Sequence, residues 1–366
     1  MKIEFKAEDV HVILCYKNFA KHNPNISHIG LGVAGMNNAR VLTRHGITTS
    51  IWPIVSTADL ESQLNAATDP KVTHVIISAP WIPTHELQRL ILRFPRIKFS
   101  VNCHSNVGFL QADSNGIKLL REYTALERGN VNFRVSGNSK KFATWLRSAY
   151  GIPTAYLPNM YYLDYSYSTQ SRPLFNGGVL KMGAFGATRP QKNIVSAAGC
   201  AIDIARSLKT DAELWISGGR TEGGGNTLLN AVRELTRNIP GFTLKEVQWQ
   251  SWPDFRQTVS HMNLLIQVSY TESFNMVTAD GIAEGVPSVV SSAIDWAPDY
   301  WKADMDDVLD MSQVGRLLLG DRLASTKGVE ALEKHNRQGL EAWMTYLHIS
   351  CNDRGYNTLL NDPYML

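Results

Sequence analysis

The stretch from residue 263 to 292 constrains this chain more than any other. Leu264 to Val268 is a short apolar run of strand length, and Ser288 to Ser291, after Val286-Pro287, is a second one rich in Val; both read as parallel strands. Between them Met276, Ala279 and Ala283 recur at helical spacing, Gly285 stands where a C-terminal cap belongs, and Pro287 lies two residues beyond. The unit is therefore strand, loop, helix, strand. Its loop, Glu272-Ser273-Phe274-Asn275, sets a carboxylate, a hydroxyl and the unpaired backbone N–H groups of a helix start side by side, an arrangement suited to an anionic ligand. Asp280 follows, roughly one and a half turns into the helix.

The rest of the chain repeats this alternation. Val10 to Cys15 reads as the first strand, followed by a loop through Asn23-Pro24-Asn25 and the glycine-bearing run from Ser27 to Gly35, then a helix over Met36 to His45 closed by Gly46. Strands are expected at Thr48 to Ile54, Thr73 to Ser78 and Ile97 to Cys103, with helices at Leu60 to Ala67 and His85 to Arg93 between them. His104 falls at the carboxyl end of one of these strands, the edge outside which ligands sit in open parallel sheets. Val131 to Ser136 and Lys140 to Tyr150 complete this half, and the polar segment Leu163 to Gly177, with Pro173, reads as a linker. A second alternation runs through the strands Val179 to Ala184 and Ala212 to Ser217 and the helices Ile194 to Ser207 and Leu228 to Arg237, and ends in a helix over Val329 to Ile349. Gly218-Gly219-Arg220 and Gly223-Gly224-Gly225 read as a mobile excursion over the same sheet edge.

At 366 residues there is room for two domains with a core each. Met1 to Asn18 begins with charges and has no continuous apolar run ahead of a small-residue cleavage site, so no signal peptide is expected. No window approaches about 18 uninterrupted apolar residues, so no transmembrane segment is expected either, and the expected location is cytoplasmic. Cys15, Cys103, Cys200 and Cys351 are scattered, which argues for reduced thiols and against a disulfide framework or a zinc site. The net charge of +3 divides unevenly: residues 1–170 hold 18 Lys+Arg against 11 Asp+Glu, the remainder 18 against 22. A basic first half permits an acidic partner there, and Arg89, Arg93, Arg96 and Lys98, interleaved with Leu90, Ile91, Leu92 and Phe94, permit a nucleic-acid or anionic-membrane contact; the plainer alternative is a helix with one buried face and basic edges.

The central stretch resembles the donor-site signature of retaining GT-B glycosyltransferases of the Glu-x7-Glu type (glycosyltransferase family 4-like), which commonly reads E-S-F-G-x5-E-A-x-A-x-G-x-P. Glu272, Ser273, Phe274, Ala283, Gly285 and Pro287 match, whereas Asn275 replaces the usual Gly, Asp280 the second Glu and Gly281 the Ala after it. The likeness extends to Ser136, Leu146, the run Tyr150-Gly151-Ile152-Pro153 and Pro158-Asn159, and to Lys192-Asn193 in the loop after Gly186, where such enzymes carry G-R-x-x-x-x-K-[GN]. The Arg of that loop is Ala187 here, so the role is vacant unless Arg189 takes it.

The resemblance implies an α/β, GT-B fold: two facing Rossmann-like domains with parallel sheets and an interdomain cleft. It further implies an acceptor-side domain over residues 1–165, a donor domain over 166–335, and a terminal helix, 336–366, crossing back to the first domain. The implied activity is metal-independent, retaining transfer of a sugar to an acceptor hydroxyl, with a nucleotide-sugar, UDP-sugar foremost, as co-substrate and no cofactor. By the same resemblance Glu272 meets the sugar hydroxyls, helped by backbone N–H groups of Asn275 and Met276; Asp280 holds the ribose; Lys192, with Arg189, offsets the charge of the leaving diphosphate; and His104 orients the sugar or the incoming hydroxyl. Ser273 and Phe274 line the donor loop, Gly30 and Gly32 let the backbone approach the donor or acceptor, and Trp249 sits where relatives hold the base; taken alone, that Gly-x-Gly reads as a tight turn and that Trp as a core aromatic. Asp304-Met305-Asp306-Asp307 has the look of a metal-binding Asp-x-Asp but stands beyond the donor helix, where a solvated acidic loop is the expected reading. The acceptor stays open, with hydroxymethylated DNA bases or an anionic lipid as alternatives to small molecules, and a catalytically silent nucleotide-sugar-binding protein is the competing class.

Overall fold

Strands rich in apolar residues on both faces form two six-stranded parallel sheets, each covered by helices. The chain is described here from a computed structural model over residues 6–18, 29–67, 71–111, 113–164 and 174–348. It divides into two compact units, Met1–Tyr162 with Asn336–Leu366, and Leu163–His335.

The first sheet contains β1 (His11–Lys17), β2 (Thr48–Ile54), β3 (His74–Ser78), β4 (Lys98–Cys103), β5 (Phe133–Gly137) and β6 (Ala155–Tyr156), in the order β2-β1-β3-β4-β5-β6. Side chains alternate between faces as the period of two requires. Ile13, Val75, Ile77, Phe99 and Val101 pack on one side with Tyr123 and Phe142. Val12, Leu14 and Ile76 pack on the other with Leu42 and Trp343. Trp343 belongs to the long helix Ala324–Leu347, and its indole N–H donates to the Pro158 carbonyl at 2.9 Å. Asn336 pairs twice with the backbone of Tyr161, accepting at 2.9 Å and donating at 2.7 Å. Ile349, the expected end of that helix, lies outside the described residues, as do Cys351, Asn23 to Asn25 and 165–173 of the expected linker.

One expectation fails in this unit. The glycine-bearing run after β1 is helical from Ile29 onward, within Ile29–Arg44, so Gly30 and Gly32 occupy a helix start rather than a loop. Glycine costs a helix about 1 kcal/mol per residue, which is why the run reads as a loop; packing of Val33 and Ala34 outweighs it. A side chain at Gly32 would meet the Tyr16 ring at 3.1 Å, so its smallness serves the core. The basic helix Thr84–Arg93 has the plainer of its two expected forms: Leu87, Leu90 and Ile91 are buried, while Arg89 and Arg93 on its edge both pair with Glu61, at 3.0 and 2.8 Å.

In the second unit β7 (Leu180–Ala184), β8 (Ala212–Ser217), β9 (Phe242–Val247), β10 (Leu264–Gln267), β11 (Ser288–Ser291) and β12 (Lys302–Ala303) take the order β12-β11-β10-β7-β8-β9. The chain builds outward from β7 in one direction and from β10 in the other. The carboxyl ends of these two adjacent strands therefore form the switch point at which open α/β sheets bind ligands. No helix of the described residues is long and apolar enough to cross a membrane. Cys15, Cys103 and Cys200 are free and buried, and burial raises all three thiols above their ordinary value.

Candidate active site at the switch point of the second sheet

The loop after β7 and the loop after β10 meet across that switch point. Lys192 ends a short 3₁₀ turn, Pro190–Lys192, and its Nζ lies 2.6 Å from Glu272 Oε1. Asn193 follows with φ 54°, a left-handed backbone that Asn and Gly tolerate best, and its amide donates to the carbonyls of Val268 (3.1 Å) and Met305 (2.7 Å). Tyr270 N–H donates to the Gln191 carbonyl at 2.9 Å. Two loops about eighty residues apart in sequence are thus locked together by one backbone bond, the Asn193 amide and the Lys192–Glu272 pair before any ligand arrives. Gly186, at φ 117°, is required here on two counts: its backbone conformation, and the Lys192 stem, which would lie 3.2 Å from an added Cβ.

Glu272 is held by three donors on one oxygen. Lys192 at 2.6 Å, the Ser269 hydroxyl at 2.8 Å and the Asn275 amide at 3.0 Å all reach Oε1, whereas Oε2 takes no hydrogen bond from the described residues. Burial pushes this carboxyl up, but the charge and hydrogen bond of Lys192, the Ser269 bond and the charge of Arg189 outweigh it, so its pKa lies below the ordinary carboxylate value. The group is ionised at neutral pH, with one oxygen available as an acceptor.

The two departures around it have physical explanations. Asn275 stands at φ 68°, the left-handed region that explains a Gly at this position in the resembling signature; Asn tolerates it and adds a side chain that caps the following helix, Met276–Ala283, by accepting from Thr278 N–H at 2.9 Å. Its amide is spent on Glu272 and on Gln267 Oε1 at 3.2 Å, and the residue is 5% exposed, so it serves the loop rather than reaching a sugar. Asp280 is 1% exposed and accepts from the Trp252 indole N–H at 2.9 Å. A direct grip on a ribose from Asp280 therefore requires Trp252 to yield. Phe274 is likewise turned inward, stacked on Trp296 with centroids 5.1 Å apart, and Trp296 donates to its carbonyl at 2.6 Å. Ser273 is half-buried in the same loop, and Met276, also half-buried, opens the helix whose first N–H groups have no intrahelical partner.

Arg189 lies close enough to lower Glu272, but its guanidinium Nη1 binds Glu222 at 2.9 Å. Arg220 binds the other oxygen of Glu222 and stands over the Trp249 ring, 5.4 Å from its centroid. Trp249 is 46% exposed, not a core aromatic. The glycine-rich segment carrying Arg220 and Glu222 is tied down rather than a free excursion: Thr188 N–H donates to the Arg220 carbonyl at 3.0 Å and Glu222 N–H to the Thr188 carbonyl at 2.9 Å. At Gly225 an added Cβ would stand 2.1 Å from the Thr188 carbonyl oxygen. Asp304 to Asp307 is a capping loop, in which Asp307 accepts from Leu309 and Asp310 N–H at the start of the helix Val308–Gly320. Among the described residues no group of three or more His, Cys, Asp or Glu could hold a metal ion.

In the first unit His104 stands at the carboxyl end of β4, with the Asn138 amide 3.4 Å from Nδ1, and burial lowers its pKa to about 4. Gly30 is exposed on the first turn of its helix, and a Cβ there would meet nothing within 4 Å. Sequence reasoning brings Lys192 and Glu272 to one place but misses Ser269, Glu222, Arg220 and Trp252. Ser269, three residues before Glu272 on the same loop, had a usable signal in its spacing; the others depend on packing between segments distant in sequence.

No family profile and no curated protein matches the sequence. Solved structures do. The N-terminal domain of trehalose-6-phosphate phosphatase from Candida albicans aligns over 95% of this chain and 98% of its own, with TM-score 0.62 and 9% identity. Sucrose-phosphate synthase from Thermosynechococcus elongatus aligns over 92% and 98%, with TM-score 0.61 and 13% identity. HepE from Anabaena, solved with UDP and glucose, aligns over 92% and 100%, with TM-score 0.59 and 13% identity. At such identities the likeness speaks for the fold, and together with the two parallel sheets it shows that the chain has the GT-B fold with two Rossmann-like units.

Proposed function

We propose that the protein is a retaining glycosyltransferase that moves a sugar from a nucleotide-sugar, UDP-sugar foremost, to an acceptor hydroxyl. The observation that carries this reading is the Lys192–Glu272 pair at the switch point beside the amino end of Met276–Ala283. A diphosphate leaving group gains charge as the glycosidic bond to phosphate breaks. Lys192 and the orphan N–H groups at Met276 supply the offsetting positive charge in a partly dry site. Ionised Glu272 accepts from sugar hydroxyls through Oε2 while Oε1 stays anchored. In front-side attack the acceptor oxygen bonds to the anomeric carbon on the face the phosphate leaves, and the acceptor proton passes to the departing phosphate oxygen; this needs neither a carboxylate nucleophile nor a metal ion.

His104, held neutral by burial, orients the sugar or the incoming hydroxyl. Arg220 and Trp249 form a cationic and aromatic wall for the base, Asp280 reaches the ribose when Trp252 gives up its bond, and Gly30 marks the first unit's contribution at its helix start. Arg89 and Arg93 share the one carboxylate of Glu61, which offsets one of their two charges and leaves the helix Thr84–Arg93 with a small positive edge; an uncharged acceptor hydroxyl needs no such edge. HepE was solved with UDP and glucose, in keeping with a UDP-sugar donor.

The reading is tested by incubating the purified chain with UDP-, GDP- and ADP-sugars and following thermal stabilisation and slow nucleotide release, then adding acceptor panels that include hydroxymethylated DNA. Stabilisation and release with one nucleotide class supports the enzyme. Stabilisation without release under any acceptor points to the silent binding protein, and neither effect contradicts both.

A further inference from the structure

Two adjoining cavities open at the amino-terminal edge of the first sheet, opposite the edge that bears His104. One, of about 190 Å³, is lined by Lys98, Asn132, Arg134, Tyr346 and His348. The other, of about 270 Å³, is lined by Glu127 and Arg128 and shares Val131, Arg134 and Pro153 with the first. Together they approach the roughly 300–1,000 Å³ of small-molecule sites. β4 runs from Lys98 to Cys103, so at about 3.3 Å per residue its length, roughly 20 Å, separates these cavities from His104.

Basic residues here exceed the one carboxylate. Glu127 is 5% exposed; its Oε2 accepts from Val135 N–H at 2.8 Å, and its Oε1 lies 3.8 Å from Arg134 Nε without a hydrogen bond from the described residues. A cation near a helix end needs no ligand, since the carbonyls there attract it, and Arg128 fits that description by donating to the Tyr150 carbonyl at 2.5 Å. Lys98 opens β4, and Arg134, second in β5, donates through Nη1 to the Phe133 carbonyl at 2.8 Å, which leaves the rest of its fork directed elsewhere than a helix end. Burial and the charge of Arg134 lower Lys98 below the ordinary lysine value. Behind them His74, the strand partner of Lys98, is held neutral, at about 3, by burial and by the charges of Lys98 and His348. Lys98, Arg134 and His348 thus line one cavity whose lining residues include no carboxylate, and a bound anion would offset their mutual repulsion.

We propose that the cavity lined by Lys98, Arg134 and His348 binds the phosphoryl group of a small molecule, free or esterified, at a site separate from Lys192 and Glu272. Arg134 offers a planar fork and Lys98 a point charge, the pair of donors that suits a phosphoryl dianion. The larger cavity next to them has room for the organic part of an ester.

The test is a titration of the full chain with inorganic phosphate at constant ionic strength, read by the methyl resonances of Val131 and Ala155, which line the smaller cavity. Saturable shifts are expected, retained in Lys192→Ala and weakened about tenfold or more in Lys98→Met and in Arg134→Lys, as loss of a charge-assisted bond requires. Both substitutions keep the aliphatic stem, so folding is preserved. Glycerol phosphate binding more tightly than inorganic phosphate assigns the larger cavity to an ester, and equal binding assigns the site to the free ion. Shifts that follow ionic strength without saturating, or that are equal in wild type, Lys98→Met and Arg134→Lys, overturn the proposal. Loss only in Lys192→Ala overturns it as well, while leaving the donor site standing.

Discussion

The carboxyl edges of the two sheets differ in how their polar groups are held. On the second sheet, Lys192, Ser269, Glu272 and Asn275 satisfy one another at 2.6 to 3.0 Å, and the loops are pinned by left-handed asparagines at 193 and 275. On the first, His104 has one long contact of 3.4 Å to Asn138 and is kept neutral by burial. The first arrangement suits a group that must stay fixed while charge develops on a ligand. The second suits a group that adapts to an incoming hydroxyl.

The largest expected effect breaks the rigid side. Lys192→Ala leaves Glu272 buried without its cation, and losing one partner of a buried pair costs about 3–5 kcal/mol. The thermal midpoint should fall strongly, and sugar transfer by the remaining folded protein should drop more than tenfold, about 1.4 kcal/mol in the barrier. Glu272→Gln keeps an acceptor for Lys192 but leaves its ammonium without a counter-charge, so it should lose stability as well as transfer. Near-normal turnover in either folded variant separates the pair from the chemistry. Because Glu272 is held below its ordinary value, its contribution to stability is present above the unfolded carboxylate pKa and is lost as pH falls through the folded value.

A smaller effect sharpens the account of the loop. Asn275→Gly keeps the left-handed backbone and loses the side-chain cap, at roughly a few tenths of a kcal/mol. Asn275→Ala loses the cap and also pays the left-handed cost of roughly 1–2 kcal/mol. Denaturant midpoints should therefore rank wild type above Gly above Ala, and Ala equal to Gly would show that backbone conformation is not what selects Asn here.

The Asn275 position shows how far sequence reading reaches. The strand, loop and helix around Glu272 were legible because apolar spacing, Gly285 and Pro287 mark their ends locally, and Lys192 was legible through its loop pattern. What Asn275 does instead of Gly was not, because its amide answers to Glu272 and Gln267, and only the folded loop brings those oxygens to it. Trp252 over Asp280 is the same kind of fact, a contact between two helices. Gly30 and Gly32 misled for the opposite reason: local propensity favours a loop, and tertiary packing makes a helix.

An effect that depends on pH lies on the adaptable side. With a folded pKa of about 4 against an ordinary 6.5, His104 stays neutral in the native protein while the unfolded chain takes up its proton first. Its contribution is full above about 6.5 and is lost as pH falls toward about 4. His104→Asn should flatten the dependence of the denaturant midpoint on pH across that window, and an imidazole that titrates near 6.5 in the native protein would contradict its burial.

The central claim, that the switch point of the second sheet grips the donor's phosphates, is tested most directly by calorimetric titration of UDP and of a UDP-sugar into wild type and into Lys192→Ala at a temperature where both are folded. The account predicts binding to wild type and a loss of tenfold or more in the variant for both ligands. Equal affinity in the two proteins, or no binding of any nucleoside diphosphate to wild type, would contradict it.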